Sequence, residues 1–118
     1  MFRKYDRDGG LVFERHVEGI ELDGYLASLP TSWPTRSIAD REIPLVRPAV
    51  RAAAVDPTGH LWISLSQEHT YVYDANGDKV RTVRFDAAGT ISPTSLFFTQ
   101  DSRLLVTPGC YEFDPQTK

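Results

Sequence analysis

The residues of this chain that could carry chemistry are three histidines, one cysteine and scattered serines and acidic side chains. His16, His60 and His69 are not spaced as i, i+4 on a helix and no cysteine pair accompanies them, so they form no zinc motif. Cys110 is the only cysteine, which excludes an internal disulfide and is typical of a small buried side chain. The serines lie in no Gly-x-Ser-x-Gly elbow. We therefore predict no catalytic residues, metal ligands or cofactor from these types and spacings.

Two acidic loops that contain glycine superficially suggest calcium binding. They are Asp6-Arg7-Asp8-Gly9 and Asp74-Ala75-Asn76-Gly77-Asp78. A calcium loop of the EF-hand type needs glycine at its sixth position and glutamate at its twelfth, but here glycine is fourth and the twelfth residues are Val17 and Phe85. Asn-Gly between strand-like flanks is a strong hairpin signal, so both loops are predicted to be turns.

The sequence segments that must position these residues are repeated along the chain. The segment 55–64 recurs in outline 43 positions later as 98–107, and Tyr73-Asp74-Ala75-Asn76-Gly77 echoes Tyr5-Asp6-Arg7-Asp8-Gly9 from 68 positions earlier. Each unit has a strand, a turn and a strand, since residues typical of strands flank residues that turns favour. Repeats of this length built from short strands indicate a β-propeller.

The spacing of the repeats divides the chain into four parts. Residues 49–86 are predicted to form four antiparallel strands, which is one complete propeller blade. Residues 1–18 match the second hairpin of this blade and are predicted to be the outer two strands of a preceding blade. Residues 92–114 match its first hairpin and the start of its third strand, which predicts an incomplete following blade. The two connections between these units differ in length, since one is residues 19–48 and the other is residues 87–91. The predicted fold is therefore all-β, with about two blades and one insertion, residues 19–48.

The insertion is predicted to contain one helix followed by an irregular extended segment. Apolar residues from Ile20 to Leu29 have near-helical spacing, Pro30 ends it, and later prolines keep the chain extended. The segment either caps a blade edge or one mouth of the ring, faces a ligand, or contacts a partner. Tyr25, Trp33 and Arg36 are the residues that we expect at a recognition surface, because loops on rigid scaffolds often bind ligands.

Composition excludes several function classes. The chain has 118 residues, is 41% apolar and 25% charged, and carries a net charge of −3, which does not favour nucleic acid or anionic membranes. Its first residues lack the apolar stretch of a signal peptide, so we expect none, and no apolar run reaches the roughly 20 residues that span a bilayer; the sequence indicates no compartment. The strand aromatics are predicted to be core residues: Trp62, Tyr71, Tyr73, Phe85, Phe97, Phe98, Tyr111 and Phe113.

The arrangement resembles the bacterial NHL-type and other six-bladed β-propeller proteins. The residues that carry the resemblance are Val55–Ile63, with its Asp, Gly and aliphatic-Trp-aliphatic order, and Tyr71–Val80. The resemblance implies a scaffold, and proteins of this kind include lactone hydrolases, lyases, sugar-binding modules and interaction platforms. Such enzymes draw metal ligands or acid and base groups from loops around the central channel, which makes Glu68 and His69 further candidate site residues.

Two functions follow from this comparison. One is a non-catalytic scaffold that binds a protein or small ligand; the other is part of a propeller enzyme, of the lactonase-like hydrolase or lyase type, whose site needs further blades. A ring of this family has about six blades and this chain encodes about two. The remaining blades are expected from the rest of a longer chain or from copies of this one, three of which would make six.

Overall fold

The fold consists mainly of antiparallel β-structure, as predicted at that level. The computed structural model describes residues 1–30, 32–46 and 48–115. In chain order the elements are β1 (Phe2–Tyr5), β2 (Leu11–Arg15), α1 (Ile20–Ala27), β3 (Thr35–Ile38), β4 (Arg41–Pro44), β5 (Val50–Val55), β6 (Leu61–Leu65), β7 (His69–Tyr73), β8 (Lys79–Asp86), β9 (Thr90–Ile91), β10 (Ser95–Phe98), β11 (Leu104–Thr107) and β12 (Tyr111–Phe113).

The central sheet has the strand order β5-β6-β7-β8-β9 and curls into a half-barrel. The four strands predicted over residues 49–86 are present as β5 to β8, and the short fifth strand, β9, lies in the predicted link of residues 87–91. Gly89, with φ +133°, lets the chain reverse after β8, and the Ala87 N–H donates to the Gly89 carbonyl at 2.9 Å. Strands β10-β11-β12 form a second sheet, and β1-β2 form a separate hairpin.

The first predicted hairpin occurs twice with the same register. In the central sheet, Val55 lies opposite Leu61 and Ala52 opposite Ser64. In the second sheet, Phe98 lies opposite Leu104 and Ser95 opposite Thr107, which are the same pairings 43 positions later. The sequence repeat in these segments is therefore also a repeat of strand pairing.

The second predicted hairpin also occurs twice, including its irregularity. Tyr73 pairs with Lys79 and the register shifts between Val72 and Tyr73. Tyr5 pairs with Leu11 and the register shifts between Lys4 and Tyr5, which are the same positions 68 residues earlier. A shift at the same place bends both hairpins alike.

Four turns of one geometry join these strand pairs: Asp6–Gly10, Asp56–His60, Asp74–Asp78 and Thr99–Arg103. In each, the first residue donates its N–H to the fifth carbonyl and accepts the fourth N–H at its own carbonyl. The three aspartates also accept the third and fifth N–H at Oδ1. The fourth residue has a positive φ of 84–89° in the three glycine turns, whereas Ser102 has 61°. These loops are turns, as the sequence predicts.

Two apolar clusters cover opposite faces of the central sheet. On one face, Trp62, Val72 and Phe85 pack with Leu104 and Val106 of the second sheet. On the other face, the side chains of Ile63, Leu65, Tyr71 and Tyr73 pack with Leu22 of α1 and with Phe2 and Val17 near the N-terminal hairpin. Because both faces are covered, β6 and β7 form the most buried part of the molecule.

The insertion contains the predicted helix, but the irregular segment predicted after it is wrong for residues 35–44. Strands β3 and β4 form a hairpin there, with Thr35 opposite Pro44 and Ile38 opposite Arg41. Ala39 and Asp40 both have positive φ, 50° and 61°, which is the backbone of a tight two-residue turn. No glycine marks this turn, so the sequence pattern does not reveal it.

Two burial predictions are also corrected. Phe97 is 63% exposed, because it points to the opposite face of its sheet from the buried Leu96. Cys110 is exposed rather than buried, since it lies in the turn between β11 and β12 with φ +56°. The other aromatic residues that were predicted to be core are buried or half-buried.

Candidate functional site

Three connecting segments meet at one end of the central sheet. They are residues 48–51 before and at the start of β5, residues 66–69 between β6 and β7, and residues 87–92 around β9. We call this set the loop end, and the opposite end, with turns 56–60 and 74–78, the turn end. The loop end is where the insertion returns to the sheet, so it is the place at which inserted and repeated residues can act together.

Hydrogen bonds to one carbonyl tie the insertion to the loop end. The Tyr25 hydroxyl of α1 donates to the Pro48 carbonyl at 3.4 Å, and the Ser66 hydroxyl donates to the same oxygen. The Ser66 N–H donates to the Ala49 carbonyl at 2.8 Å. Tyr25, a predicted site residue, therefore lies beside the loop that contains Glu68 and His69.

A second set of hydrogen bonds continues across the loop end. The Ser92 hydroxyl donates to the Gln67 carbonyl at 2.9 Å, and Arg51 donates from Nη1 to the Ser92 hydroxyl at 3.3 Å. The register of β5 against β6 shifts between Val50 and Ala52, so Arg51 has no partner position in β6. A bulge of this kind re-aims a side chain. Sequence reasoning missed Arg51 because no residue type in the surrounding strand announces the bulge.

The helix docks on the central sheet through a polar contact with a buried tyrosine. The Tyr71 hydroxyl donates to Glu21 Oε2 at 2.7 Å and accepts the Leu22 N–H at 3.3 Å. Burial, followed by the hydrogen bond to the Glu21 carboxylate, raises the pKa of Tyr71 to about 12. The hydrogen bond from Tyr71 is the main cause that lowers the pKa of Glu21, and the charges of His69 and Lys79 add to it.

The close approach of helix and sheet requires Gly19. A Cβ at this position would overlap the Tyr71 hydroxyl and would lie 2.8 Å from Lys79 Nζ. Lys79 lies over the Tyr71 ring, 4.2 Å from its centre, and donates to the Glu18 carbonyl at 3.1 Å. The segment before α1 is therefore fixed to the sheet by charge and backbone contacts.

The predicted site residues are only partly brought together. His69 is half-buried at the start of β7, and its Nδ1 is buried without a hydrogen-bond partner in the part of the chain that the structure describes. Glu68 is exposed beside it. Trp33 is half-buried before β3 and Arg36 is exposed on β3; among the described residues no hydrogen bond or ring contact joins either to Tyr25.

The turn end holds a different polar cluster. Asp56 accepts hydrogen bonds from Trp62 Nε1 at 3.0 Å, from the Thr58 hydroxyl at 2.7 Å, and from the N–H groups of Thr58 and His60. Burial opposes ionisation of Asp56, but these hydrogen bonds outweigh it and lower its pKa. The His60 ring nitrogen Nδ1 contacts the Thr58 hydroxyl at 2.8 Å. These groups satisfy one another within the turn.

Two open spaces lie beside the central sheet, one along β8 and one at the loop end. A groove of about 740 Å³ runs between β8 and β12, bordered by Arg81, Phe85 and Phe113. A cavity of about 520 Å³ opens at the loop end, bordered by Arg51 and Ser92. Within residues 1–30, 32–46 and 48–115, no three His, Cys, Asp or Glu side chains converge as metal ligands would. No helix in those ranges has the length and apolar character that crossing a bilayer requires.

Comparison of the chain with protein-family models, with curated proteins and with solved structures finds no match.

Proposed function

We propose that this chain is a non-catalytic β-propeller scaffold that binds its ligand at the loop end. Support for the scaffold comes from the repeated registers: two kinds of hairpin each occur twice, with pairings displaced by 43 and 68 residues. A propeller is assembled from such repeated antiparallel units, stacked face to face. The central sheet is covered on one face by β10–β12 and on the other by α1 and residues around the N-terminal hairpin.

The observation that carries the binding proposal is the run of contacts from the insertion to the sheet. Tyr25 and Ser66 both donate hydrogen bonds to the Pro48 carbonyl. Ser92 donates to the carbonyl of Gln67, the residue after Ser66, and Arg51 donates to Ser92. The insertion lacks a counterpart in the second connection, so a surface that includes it occurs once and is not part of the repeat. Recognition residues on loops held by a rigid scaffold are a common arrangement.

Two buried polar atoms have no hydrogen-bond partner among the described residues, and they belong to the first and last residues of β7: His69 Nδ1 at the loop end and the hydroxyl of Tyr73, next to turn 74–78. The aspartates of the turn end, Asp56 and Asp74, accept hydrogen bonds from their own turns. Buried polar groups are nearly always hydrogen-bonded, so a ligand group that reached His69 Nδ1 would supply the missing partner.

A thermal-shift screen tests this proposal. A panel of sugars, organic acids, nucleotides and short peptides is added to the protein, and compounds that raise Tm are retested on variants. We expect His69→Ala or Glu68→Ala to abolish the rise, because both residues lie at the loop end. Asp78→Ala, in a turn at the opposite end, is the matched control and should keep it.

The same screen distinguishes a binding module from part of an enzyme. Every compound that raises Tm, and a simple lactone, is incubated with the protein and followed by proton NMR. The proposal expects unchanged spectra. Turnover above that in buffer, or a Tm rise lost only in Asp78→Ala, would contradict a non-catalytic module that binds at the loop end.

A further inference from the structure

We infer that the loop-end cavity is a binding site for the anionic group of a small organic carboxylate or phosphate, with Arg51 as its cation. The inference rests on the proposed function and specifies its ligand chemistry. The cavity has a volume of about 520 Å³, which falls in the range of roughly 300–1,000 Å³ typical of small-molecule sites. Its border combines one charged side chain with hydroxyl, apolar and aromatic groups: Arg51, Ser92, Ile91, Pro108 and Tyr111.

The charge of Arg51 is the first argument. No carboxylate among the described residues lies within ion-pair distance of its guanidinium; of the arginines in that part of the chain, Arg3, Arg84 and Arg103 do have such partners, and Arg51 is the one that borders this cavity. Its one hydrogen bond within that part of the chain goes to the neutral Ser92 hydroxyl at 3.3 Å. A guanidinium with donors to spare beside a cavity matches the geometry of a carboxylate or phosphate group, which it can bind through two hydrogen bonds.

The local backbone is the second argument, and it is independent of the charge. The register shift between Val50 and Ala52 sets Arg51 apart from the regular alternation of β5. Bulges of this kind are enriched beside functional sites. Ser92 holds the guanidinium from one side and is itself fixed by its bond to the Gln67 carbonyl at 2.9 Å. The guanidinium is exposed, and its hydrogen bond joins it to a serine that the loop between β6 and β7 also holds.

The walls of the cavity indicate what else the ligand carries. Ile91 is 8% exposed, and Tyr111 is half-buried, with its ring against Gly109. A Cβ on Gly109 would come within 2.7 Å of that ring, so glycine is required for this approach. An apolar body attached to the anionic group would pack against Ile91 and Tyr111 while the anion bonds to Arg51.

Amide NMR titrations test the inference with matched small molecules. The ¹⁵N-labelled protein is titrated at constant ionic strength with sodium benzoate, with inorganic phosphate and, as the neutral control, with benzamide. We expect saturable shifts of the Ser92 and Gly109 amides with at least one anion, and none with benzamide. Benzoate and phosphate distinguish a carboxylate ligand from a phosphate ligand.

Variants then test the role of the arginine. Arg51→Gln should weaken binding of the effective anion at least tenfold, and Arg51→Lys should weaken it less because the charge remains. Arg7→Gln, at an exposed arginine in the turn between β1 and β2 and outside this cavity, should bind as the unaltered protein does. Absence of saturable shifts with both anions, equal shifts with benzamide, or unchanged affinity in Arg51→Gln would overturn the inference. The thermal-shift screen could still succeed with neutral ligands, so the two proposals fail separately.

Discussion

At the residue scale, the contact between Tyr71 and Glu21 joins the helix of the insertion to a fully buried position of the repeat. The hydroxyl donates to the carboxylate and accepts the Leu22 N–H, so Tyr71→Phe removes two hydrogen bonds at a buried position. We expect a loss of about 1–3 kcal/mol in the free energy of unfolding at neutral pH, because the amide and carboxylate lose a buried partner. Urea unfolding measures it, with the exposed Tyr5→Phe as a near-neutral control.

The same contact should depend on pH in both directions. The pKa of Glu21 is lowered in the fold, so its contribution is present above its ordinary value of 4.5 and is lost as the pH falls through the folded value. The pKa of Tyr71 is raised from 10.0 to about 12, so its contribution is complete below pH 10.0 and is lost as the pH approaches about 12. The stability difference between the protein and Tyr71→Phe should shrink at both extremes; a difference independent of pH would contradict the assignment.

The aspartates that begin the turns should contribute unequally to the free energy of unfolding. Asp56 accepts four hydrogen bonds, including one from the indole of the buried Trp62. Asp56→Ala should therefore destabilise the protein by about 2–3 kcal/mol, as expected for bonds to a charged acceptor. Asp6→Ala, which removes two backbone bonds at an exposed turn, should cost clearly less. Equal losses in urea unfolding would show that the Trp62 contact adds nothing.

At the element scale, the N-terminal hairpin packs against the turn that joins β7 and β8. The side chains of Lys4 and Arg15 donate to the carbonyls of Ala75 and Asn76, at 3.0 and 3.4 Å. A Cβ on Gly77 would come within 2.8 Å of the Phe13 ring. The N-terminal hairpin thus has the same strand pairing as β7 and β8, and it also packs against the turn between them.

A pair of glycine variants measures this packing. Gly59 and Gly77 have nearly equal φ, +89° and +84°, but a Cβ on Gly59 meets nothing within 4 Å. Gly59→Ala should cost about 1–2 kcal/mol for the left-handed backbone alone. Gly77→Ala should cost about 1–3 kcal/mol more, because the added methyl overlaps the hairpin. Equal unfolding free energies for the two variants would show that the N-terminal hairpin does not pack tightly against the turn at Gly77.

Sequence predicted the hairpins because their turns carry local signals. Asn76-Gly77 and Asp56-Pro57-Thr58-Gly59 specify turns by residue type, and the repeat set the pairing. The hairpin β3-β4 was not predicted, because Ala39 and Asp40 adopt positive φ and no glycine marks their turn. The site was harder to predict. The family resemblance pointed to Glu68 and His69, but no sequence signal pointed to Arg51, which becomes distinctive only through a register shift. That shift, and the buried unpartnered Nδ1 of His69, depend on contacts between distant segments, which spacing along the chain does not encode.

At the scale of the whole molecule, several edge strands, β1 and β12 among them, and one apolar face are open. Among the described residues, β12 pairs only with β11 and β1 only with β2. On the outer face of the second sheet, Phe97 lies opposite Leu105, and these side chains are 63% and 39% exposed. Exposed apolar patches and unpaired strand edges favour association. We therefore propose that further blades, from copies of this chain or from the rest of a longer one, cover them.

Light scattering at increasing concentration tests self-association. We expect masses above the 13.3 kDa of one chain, reaching three chains if copies close a ring of six blades. Phe97→Lys should reduce the association by placing a charge in the contact, whereas Ile20→Lys, at an 83% exposed position of α1, should not. A folded monomer at every concentration would contradict assembly from copies and leave the remainder of a longer chain as the source of blades.

The most direct test of the account is the position of the bound ligand. The compound that most raises Tm is titrated into ¹⁵N-labelled protein, and amide shifts are mapped onto the sequence. Binding at the loop end predicts that the largest shifts fall in residues 48–51, 66–69 and 87–92. Largest shifts at the turn end, in residues 56–60 and 74–78, or along the groove between β8 and β12, would contradict it.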